Sequence, residues 1–333
     1  MDEGIRVGII GDGAWGTALA LVLHSAGRSV VIWGHDPDYL SEMRERRENR
    51  LFLPGVGIPG PIRFDPDLAA VLSWSDLVVN AVPSRFLRGV FAGAGPLHRP
   101  GTPIVSLTKG LEPETLQRPS TVLRECLGSV QVTVLSGPSH AEEVANFLPA
   151  SLVAASDDLE AARGAQRIFS TPRFRVYASR DLAGVEIAGA AKNVIALAAG
   201  IVHGMGLGDN ALAALATRGL AEMARLGTAL GGEAQTFAGL AGMGDLITTC
   251  ISPHGRNRAV GIELAKGKKL ADILAGIPGV PEGVTTTESL LELSRRHGVD
   301  MPITEQVAAV LWKGKNPEQA VADLMTRARK DED

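Results

Sequence analysis

Residues 5–33, IRVGIIGDGAWGTALALVLHSAGRSVVIW, decide the fold. A β-branched run at 5–10 leads through the glycine-rich sequence GDGAWG into a segment rich in Ala and Leu, which has helical character. Gly27 provides a C-terminal stop for that helix, and a second β-branched run follows at 29–33. The pattern predicts a strand, a helix and a second strand that together form one βαβ unit.

Three glycines, at positions 11, 13 and 16, occupy the turn between the first strand and the helix. A GxGxxG sequence placed between a strand and a helix is a specific indication of dinucleotide binding. Its first glycine permits a tight turn, its second lets the backbone approach a pyrophosphate, and its third lets the helix pack on the strand. The helix N-terminus offers free N–H groups to the anion. We therefore expect Gly11, Gly13, Ala14, Trp15 and Gly16 to bind a nicotinamide dinucleotide.

The end of the second strand bears on the choice between NAD and NADP. Asp36 lies 20 residues beyond Gly16 (36 − 16 = 20), where an acid often accepts a hydrogen bond from the ribose 2′-hydroxyl of NAD. Its neighbour His35 is equally suited to lie beside a 2′-phosphate, and Asp36 could instead cap the helix that begins at Pro37. The dipeptide therefore leaves NAD and NADP open, and both residues could also be plain loop residues.

Further apolar runs, at 77–82, 104–107, 132–135, 150–155 and 174–178, alternate with helical segments. This alternation predicts a Rossmann-type, doubly wound parallel sheet over residues 1–180. Ligands of such sheets bind at the carboxyl ends of the strands. Lys109 follows one of these runs and Ser139 follows another, so we expect both near a ligand, although a plain surface lysine is the alternative for Lys109.

Residues 182–202, LAGVEIAGAAKNVIALAAGIV, predict a buried helix, because the stretch is apolar on all sides. From about residue 181 onward only helical patterns remain, so we place an all-α domain at 181–333. Lys192 in the middle of the helix costs several kcal/mol, roughly, unless it is paired or lies in a wet cleft. A core helix whose lysine reaches the surface is the plain alternative to a catalytic lysine.

Residues 240–258, LAGMGDLITTCISPHGRNR, are dense in small and polar side chains. The sequence Gly255-Arg256-Asn257 can form an anion cradle from backbone N–H groups and a guanidinium fork. The plain alternative is the start of a helix with solvated arginines. Asp245, Thr248 and Thr249 lie in the same segment. Glu282, just before another helical pattern, is a loop acid or a cofactor contact.

Composition excludes several classes of protein. The 333-residue chain has a formal net charge of −4 and 4% aromatic residues, which argues against a nucleic-acid partner. The acidic N-terminus is unlike a signal peptide, and Glu186 and Lys192 argue against membrane insertion of the apolar helix. Two cysteines fit a reducing compartment such as the cytoplasm. Neither the cysteines nor the seven histidines show metal-ligand spacing, so we expect no metal site.

A family resemblance emerges from these motifs taken together. The sequences GDGAWGTALA, AVPS, TKGL, LSGPSHAEEVA, VEIAGAAKNVIALAAG, GDNALAALATRGLAEMARLG, LAGMGDLITTC and GRNR occur in order over nearly the whole chain. The set resembles the NAD(P)-dependent sn-glycerol-3-phosphate dehydrogenases, in their bacterial form. The resemblance implies an oxidoreductase that interconverts glycerol 3-phosphate and dihydroxyacetone phosphate. It also implies a cytoplasmic homodimer that supplies phospholipid synthesis.

The resemblance also assigns roles to residues. Lys192 corresponds to the proton donor and acceptor of that family, and Asp245 to its partner in the catalytic site. The implied substrate-binding residues are Lys109, Gly137, Ser139, Lys192, Asp245, Gly255, Arg256 and Asn257. The implied cofactor contacts beyond the glycine loop are His35, Lys109, Ala141, Arg256, Val280 and Glu282. The chain departs from the bacterial pattern at His140, usually aromatic, and at Gly255, usually Ser. The Gly255 departure puts a hydroxyl contact to the phosphate in doubt but leaves a backbone contact possible.

Two rival functions remain on the sequence alone. One is a related 3-hydroxyacid dehydrogenase of the 6-phosphogluconate type, and the other is a redox sensor that binds NAD(P)H without turnover. The GRNR and TKGL sequences favour a compact phosphate ester over a hydroxyacid. A lysine buried in an apolar helix favours catalysis over sensing.

Overall fold

The computed structural model describes residues 4–277, 279, 281–328 and 331. Its strands are β1 (Arg6–Ile10), β2 (Ser29–Trp33), β3 (Glu48–Asn49), β4 (Leu53–Gly57), β5 (Arg63–Phe64), β6 (Leu77–Asn80), β7 (Ile104–Ser106), β8 (Val132–Ser136), β9 (Ala150–Ala155) and β10 (Phe174–Ser179).

The α-helices up to the end of the sheet are α1 (Ala14–Ser25), α2 (Pro37–Arg46), α3 (Leu68–Trp74), α4 (Ser84–Phe91), α5 (Pro119–Leu127), α6 (Ala141–Ala145) and α7 (Leu159–Phe169). Those after it are α8 (Leu182–Gly204), α9 (Gly208–Ala229), α10 (Ala234–Ala238), α11 (Asp245–Ile251), α12 (Arg256–Ala265), α13 (Leu270–Gly276), α14 (Glu282–His297), α15 (Pro302–Trp312) and α16 (Pro317–Met325). A 3₁₀ turn at Gly95–Leu97 and a π-helical turn at Leu240–Gly244 complete the helical segments of the described residues.

Eight strands form one sheet, in the order β10-β9-β8-β7-β6-β1-β2-β5. The strand order reverses at β1, which pairs in parallel with β2 on one side and with β6 on the other. This reversal is the topological switch point at which doubly wound sheets bind ligands. The predicted Rossmann-type sheet followed by helices is confirmed.

One detail of the sheet differs from the all-parallel prediction, because β9 runs antiparallel to β8. The element between these two strands is α6, a helix of five residues. Such a helix advances the chain by about 7.5 Å, whereas a five-residue strand is about 17 Å long. The connection therefore does not return the chain to the opposite edge, as a parallel crossover requires.

Both faces of the sheet are covered, as double winding requires. Along β1, Val7 and Ile9 belong to the apolar cluster that α1 covers, whereas Ile10 belongs to the cluster under α3, α4 and α5. Successive residues of a strand point to opposite faces, so a run of apolar residues supplies both cores.

Helix α8 forms the centre of the helical half, and α9, α12 and α14 pack against it. A Cβ built on Gly200 would lie 2.1 Å from the backbone oxygen of Arg258, so α8 and α12 cross in direct backbone contact. Among the described residues, α8 is the one helix with the length and apolar composition of a membrane span, and that span is fully buried inside the protein. Packing therefore holds this glycine-containing helix in place.

Candidate active site

The glycine loop follows β1 at the carboxyl edge of the sheet. Gly11 has φ +120°, and a Cβ there would lie 2.8 Å from the backbone oxygen of Ala81, which follows β6. A Cβ on Gly16 would lie 2.3 Å from the Gly11 oxygen, so the third glycine lets α1 close against the loop. The structural roles predicted for these two glycines agree with this geometry.

The space in front of Gly13 is open. A Cβ built there meets no described heavy atom within 4 Å, and Gly13 is the N-cap of α1 with no side chain capping the helix. The first backbone N–H groups of the helix, at Ala14, Trp15 and Gly16, have no acceptor within the helix. The loop thus presents N–H donors and the positive end of the helix dipole to open space, which fits the pyrophosphate of a dinucleotide.

Other predicted cofactor contacts surround this loop. Trp15 is half-buried, and its Nε1 is buried without a hydrogen-bond partner among the described residues. His35 is exposed at the end of β2. Ala141 is the first residue of α6 and is 9% exposed. Val280 lies outside the described residues.

Two lysines from different halves of the chain share one carboxylate. Lys192 Nζ on α8 donates to Asp245 Oδ1 at 2.6 Å, and Lys109 Nζ, after β7, donates to Asp245 Oδ2 at 2.7 Å. The side chains of Lys192, Lys109 and Asp245 are 8%, 17% and 3% exposed. Two cations and one anion leave one positive charge in a desolvated cluster. Such a cluster favours a bound phosphate or an alkoxide that forms during reaction.

Burial lowers the pKa of Lys192 to about 8. The charge of Asp245 acts in the opposite direction, and that of Lys109 adds to the lowering. The two lysines hold the pKa of Asp245 below its usual range despite its burial, so Asp245 stays ionised. The direction of the Lys192 pKa shift, which the sequence left open, is therefore downward. A lysine with a pKa near 8 can give and take a proton at neutral pH.

Neighbouring polar groups hold the cluster in place. Lys192 also donates to Thr249 Oγ1 at 2.7 Å, one turn along α11 from Asp245. Lys109 donates to the Gly137 carbonyl oxygen at 3.0 Å, and Asn193 Nδ2 donates to the Lys109 carbonyl oxygen at 2.9 Å. Both lysines are therefore fixed by partners on separate elements, which restricts their positions relative to the sheet.

Arg256 and Glu282 lie together beside this cluster. A Cβ on Gly279 would lie 2.5 Å from Arg256 Nη1, so the exposed guanidinium rests on that backbone. Burial raises the pKa of Glu282, and the charge of Arg256 opposes this rise. Glu282 Oε1 accepts a hydrogen bond from the Ser84 N–H at 2.8 Å, at the N-terminus of α4. The arginine is exposed at the site, whereas Glu282 is held against the dinucleotide-binding half.

The remaining predicted residues differ in what they offer a ligand. Asn257 is buried, donating to Asn193 Oδ1 at 3.0 Å and accepting from the Gly283 N–H at 3.0 Å. Gly255 is the buried N-cap of α12. Ser139 Oγ donates to the Gly137 carbonyl oxygen at 2.9 Å. Asn257 thus links helices in this structure, while Gly255 and Ser139 lie at the turns that border the site.

Two further residues shape the site: Asn49 was not predicted from the sequence, and His140 was noted there only as a departure from the family pattern. Asn49 is fully buried and donates to the Asp12 carbonyl oxygen at 2.7 Å, which fixes the glycine loop. His140 approaches the Thr248 carbonyl oxygen at 3.5 Å, and burial lowers its pKa, with Lys192 nearby adding to the effect. Burial of an isolated Asn within a charged stretch has no local signature, so only the tertiary structure reveals Asn49.

The fold and the site define a class of protein. They describe a dinucleotide-binding α/β protein in which a buried helix brings a paired lysine to the carboxyl edge of the sheet. Two family models match: the NAD-dependent glycerol-3-phosphate dehydrogenase N-terminus over residues 6–162, and the C-terminus of the same family over residues 181–322. The chain belongs to the NAD-dependent glycerol-3-phosphate dehydrogenase family.

Individual relatives agree with this assignment. A glycerol-3-phosphate dehydrogenase [NAD(P)+] of Geobacter metallireducens is 49% identical over 332 residues, with 99% of each chain covered. One of Chlorobium phaeobacteroides is 47% identical over 331 residues, covering 98% of this chain and 99% of the relative. The crystal structure of glycerol-3-phosphate dehydrogenase from Coxiella burnetii superposes with a TM-score of 0.94 at 38% identity, covering 97% of this chain and 99% of that one.

Proposed function

We propose that this protein is an NAD(P)-dependent oxidoreductase that interconverts sn-glycerol 3-phosphate and dihydroxyacetone phosphate. The observation that carries the proposal is the Lys192–Asp245–Lys109 cluster at the carboxyl edge of a dinucleotide-binding sheet. Membership of the glycerol-3-phosphate dehydrogenase family supports the same reaction. The related hydroxyacid dehydrogenase and the non-catalytic sensor are not favoured by these relatives.

The cofactor-binding part of the proposal rests on the glycine loop. Gly11, Gly13 and Gly16 shape the turn, and the N–H groups of Ala14 and Trp15 face the open space before it. NADH or NADPH, bound there, would supply the hydride. His35, Lys109, Ala141, Arg256, Val280 and Glu282 are the further proposed cofactor contacts. Of these, Lys109 shares Asp245 with Lys192, and Glu282 contacts the N-terminus of α4.

The substrate phosphate is proposed to bind between Arg256 and Lys109. Arg256 is exposed and makes no ion pair within the described part of the chain, so its planar fork can bind a phosphate bidentately. Gly255 would contribute the N–H groups of the α12 N-terminus, and Gly137 and Ser139 border the same space. Asn257 is proposed to support this turn through its bonds to Asn193 and Gly283.

Lys192 is proposed to move the proton. Reduction of the ketone turns its oxygen into an alkoxide, which needs a donor at hydrogen-bonding distance. Lys192 Nζ would give that proton, and in the reverse direction the neutral amine would accept it from the alcohol. Asp245 orients Lys192 and keeps its charged form available, because its carboxylate opposes the effect of burial on the lysine pKa.

The family resemblance also leads us to propose a wider setting for the enzyme. Residues 1–180 would be the dinucleotide-binding domain and residues 181–333 the helical substrate domain. We propose a cytoplasmic homodimer, without membrane insertion, whose product supplies phospholipid synthesis. Exposed apolar side chains at Met243, Ile247 and Ile251 support self-association. Light scattering coupled to size exclusion tests the dimer.

The deciding experiment measures NADH and NADPH oxidation with dihydroxyacetone phosphate, beside dihydroxyacetone as the matched control. We expect rapid turnover of the phosphate ester and weak turnover of dihydroxyacetone, because only the ester engages Arg256 and Lys109. Equal turnover of both ketones would contradict a phosphate site. Binding of NADH without turnover of either ketone would point to a sensor.

A further inference from the structure

The carboxylate of Asp12 lies at the end of β2, although Asp12 belongs to the loop after β1. A Cβ built on Gly34 would lie 2.4 Å from Asp12 Oδ2 and 2.8 Å from its Cγ. Gly34 directly follows β2, so the side chain crosses from the glycine loop to the neighbouring strand end. In dinucleotide-binding folds that strand end is where the adenosine ribose is recognised.

Asp36, the acid at the usual sequence position for ribose recognition, is already engaged. Its Oδ1 accepts hydrogen bonds from the backbone N–H groups of Asp38 at 3.0 Å and Tyr39 at 3.2 Å. Asp36 is therefore the N-cap of α2, and turning toward a ribose would cost the helix this cap. Its neighbour His35 is exposed and lies with its ring 6.4 Å from that of Trp33.

The carboxylate of Asp12 accepts a hydrogen bond from its own backbone N–H. No other residue in the described part of the chain gives it a hydrogen bond, whereas the Asp12 main chain is anchored by Asn49. Burial raises the pKa of the Asp12 carboxyl and the charge of Asp36 adds to the rise, whereas its own backbone N–H and His35 oppose it. A partly buried carboxylate with one main-chain donor has further acceptor sites, and ribose hydroxyls at the end of β2 would fill them.

We propose that Asp12, rather than Asp36, accepts the hydrogen bond from the adenosine ribose and thereby makes the protein select NADH over NADPH. The inference rests on the proposed function, because it assumes a dinucleotide at the glycine loop. A 2′-phosphate at this ribose would place its negative charges against the Asp12 carboxylate, with Asp36 adding like charge nearby. A 2′-hydroxyl would instead donate to Asp12.

The test compares dissociation constants rather than turnover. NADH and NADPH are titrated by calorimetry into the wild-type protein, Asp12→Ser, Asp12→Asn and the comparator Asp36→Ser. Displacement of bound NADH by 5′-AMP and by 2′,5′-ADP isolates the 2′ position. Melting temperatures establish that each variant is folded. Two replacements at position 12 are used so that the test still works if one of them does not fold.

We expect the wild type to bind NADH at least about tenfold more tightly than NADPH. Both Asp12 variants should lower the ratio of the NADPH to the NADH dissociation constant by about tenfold, whereas Asp36→Ser should keep it within about threefold while lowering the melting temperature. Three results would overturn the role of Asp12 and leave the proposed function intact. They are equal affinities of the wild type for NADH and NADPH, a ratio of dissociation constants that is unchanged in both Asp12 variants, and a ratio that changes only in Asp36→Ser. A wild-type protein that binds neither nucleotide would overturn the proposed function itself.

Discussion

The glycine loop after β1 and the Lys192 cluster on α8 both prepare for negative charge, but by different physical means. The loop uses backbone N–H groups and a helix dipole. It depends on glycines, whose lack of a side chain leaves room for a close approach to the backbone. The cluster uses buried ions: Lys192, Lys109 and Asp245 come from positions far apart in the chain. A site built from backbone groups can therefore be predicted from a short local sequence. A site of buried charges forms only when the two halves of the chain pack together.

The largest expected effect on catalysis comes from removing the titratable group of Lys192 from the cluster. Lys192→Met keeps the length and apolar stem of the side chain and should lower kcat by about 10²- to 10⁴-fold, since general acid–base catalysis is worth that much. Cofactor affinity should stay near the wild-type value, because the loop is a separate site. Steady-state kinetics with dihydroxyacetone phosphate and a calorimetric NADH titration measure the two quantities.

Lys109→Met is the comparator for this prediction. It removes the other cation from Asp245 and should raise KM as well as lower kcat, because we propose that Lys109 also contacts substrate and cofactor. A Lys192→Met variant that retains kcat within a few-fold across the pH range would show that the proton comes from elsewhere, and Lys109 would then be the candidate.

Arg256→Ala tests whether the exposed cation beside the cluster recognises phosphate. Loss of a charge-assisted hydrogen bond costs about 1.5–3 kcal/mol, so kcat/KM for dihydroxyacetone phosphate should fall by about 10- to 100-fold. Dihydroxyacetone, which has no phosphate, should be affected little. The exposed Arg295→Ala serves as control, and an NADH titration separates any cofactor effect. Equal losses on both ketones would assign Arg256 another role.

Gly13→Val tests the backbone site in the same way. The added side chain would enter the open space before the loop, so the NADH dissociation constant should rise by about tenfold or more. Because a Cβ at Gly13 meets no protein atom within 4 Å, the melting temperature should barely change. Gly89→Val is the matched control, since a Cβ at Gly89 on α4 also meets open space. Unchanged NADH affinity in Gly13→Val would rule out the loop as the pyrophosphate site.

Asp245→Asn tests whether the charge of Asp245 sets the pKa of Lys192, because it changes the charge of the cluster without changing its shape. Asp245 raises the pKa of Lys192, so its loss should lower that pKa below the value of about 8. Ketone reduction needs protonated Lys192, so the falling limb of its pH profile should move to lower pH by about one unit or more. Thr249→Val, which keeps the carboxylate, should move the limb less. A limb that stays in place or moves upward would contradict the assignment to Lys192.

The smallest expected effect is on stability and comes from Glu222, a buried carboxyl group outside the candidate active site. Its carboxylate accepts a hydrogen bond from the Ile303 N–H at 2.6 Å at the start of α15, and burial raises its pKa to about 7. A pKa above the unfolded value means that the folded state holds an extra proton between roughly pH 4.5 and 7. The free energy of unfolding should therefore fall as pH rises through this window.

Glu222→Gln should remove that part of the pH dependence, which amounts to no more than about 1.4 kcal/mol per pKa unit, and leave kcat unchanged. Urea unfolding at pH 5 and pH 7.5 measures the slope, with the exposed Glu318→Gln as control. An unaltered slope in Glu222→Gln would mean that other groups carry the pH dependence. The contrast with Lys192 separates a buried ionisable group whose titration affects stability from one whose titration serves chemistry.

The sequence alone determined the features that depend on local pattern. Alternating apolar runs and helical segments predicted the sheet, and GDGAWG predicted the glycine turn, because strand, turn and helix preferences act over a few residues. The buried helix at 182–202 followed from its apolar composition, and its lysine stood out because burying a charge is costly. The antiparallel direction of β9 was missed, because it depends on how far a five-residue helix carries the chain.

Only the tertiary structure decided which charges meet. Asp245 pairs with both Lys192 and Lys109, and the pKa of Lys192 falls because burial outweighs that pairing. Asn257 turned out to link α8 and α14, and Asp36 to cap α2 while Asp12 reaches the end of β2. Such outcomes depend on distances of a few ångström between residues that are remote in sequence. Electrostatic energy and desolvation are set by those distances and by burial, which no local sequence pattern encodes.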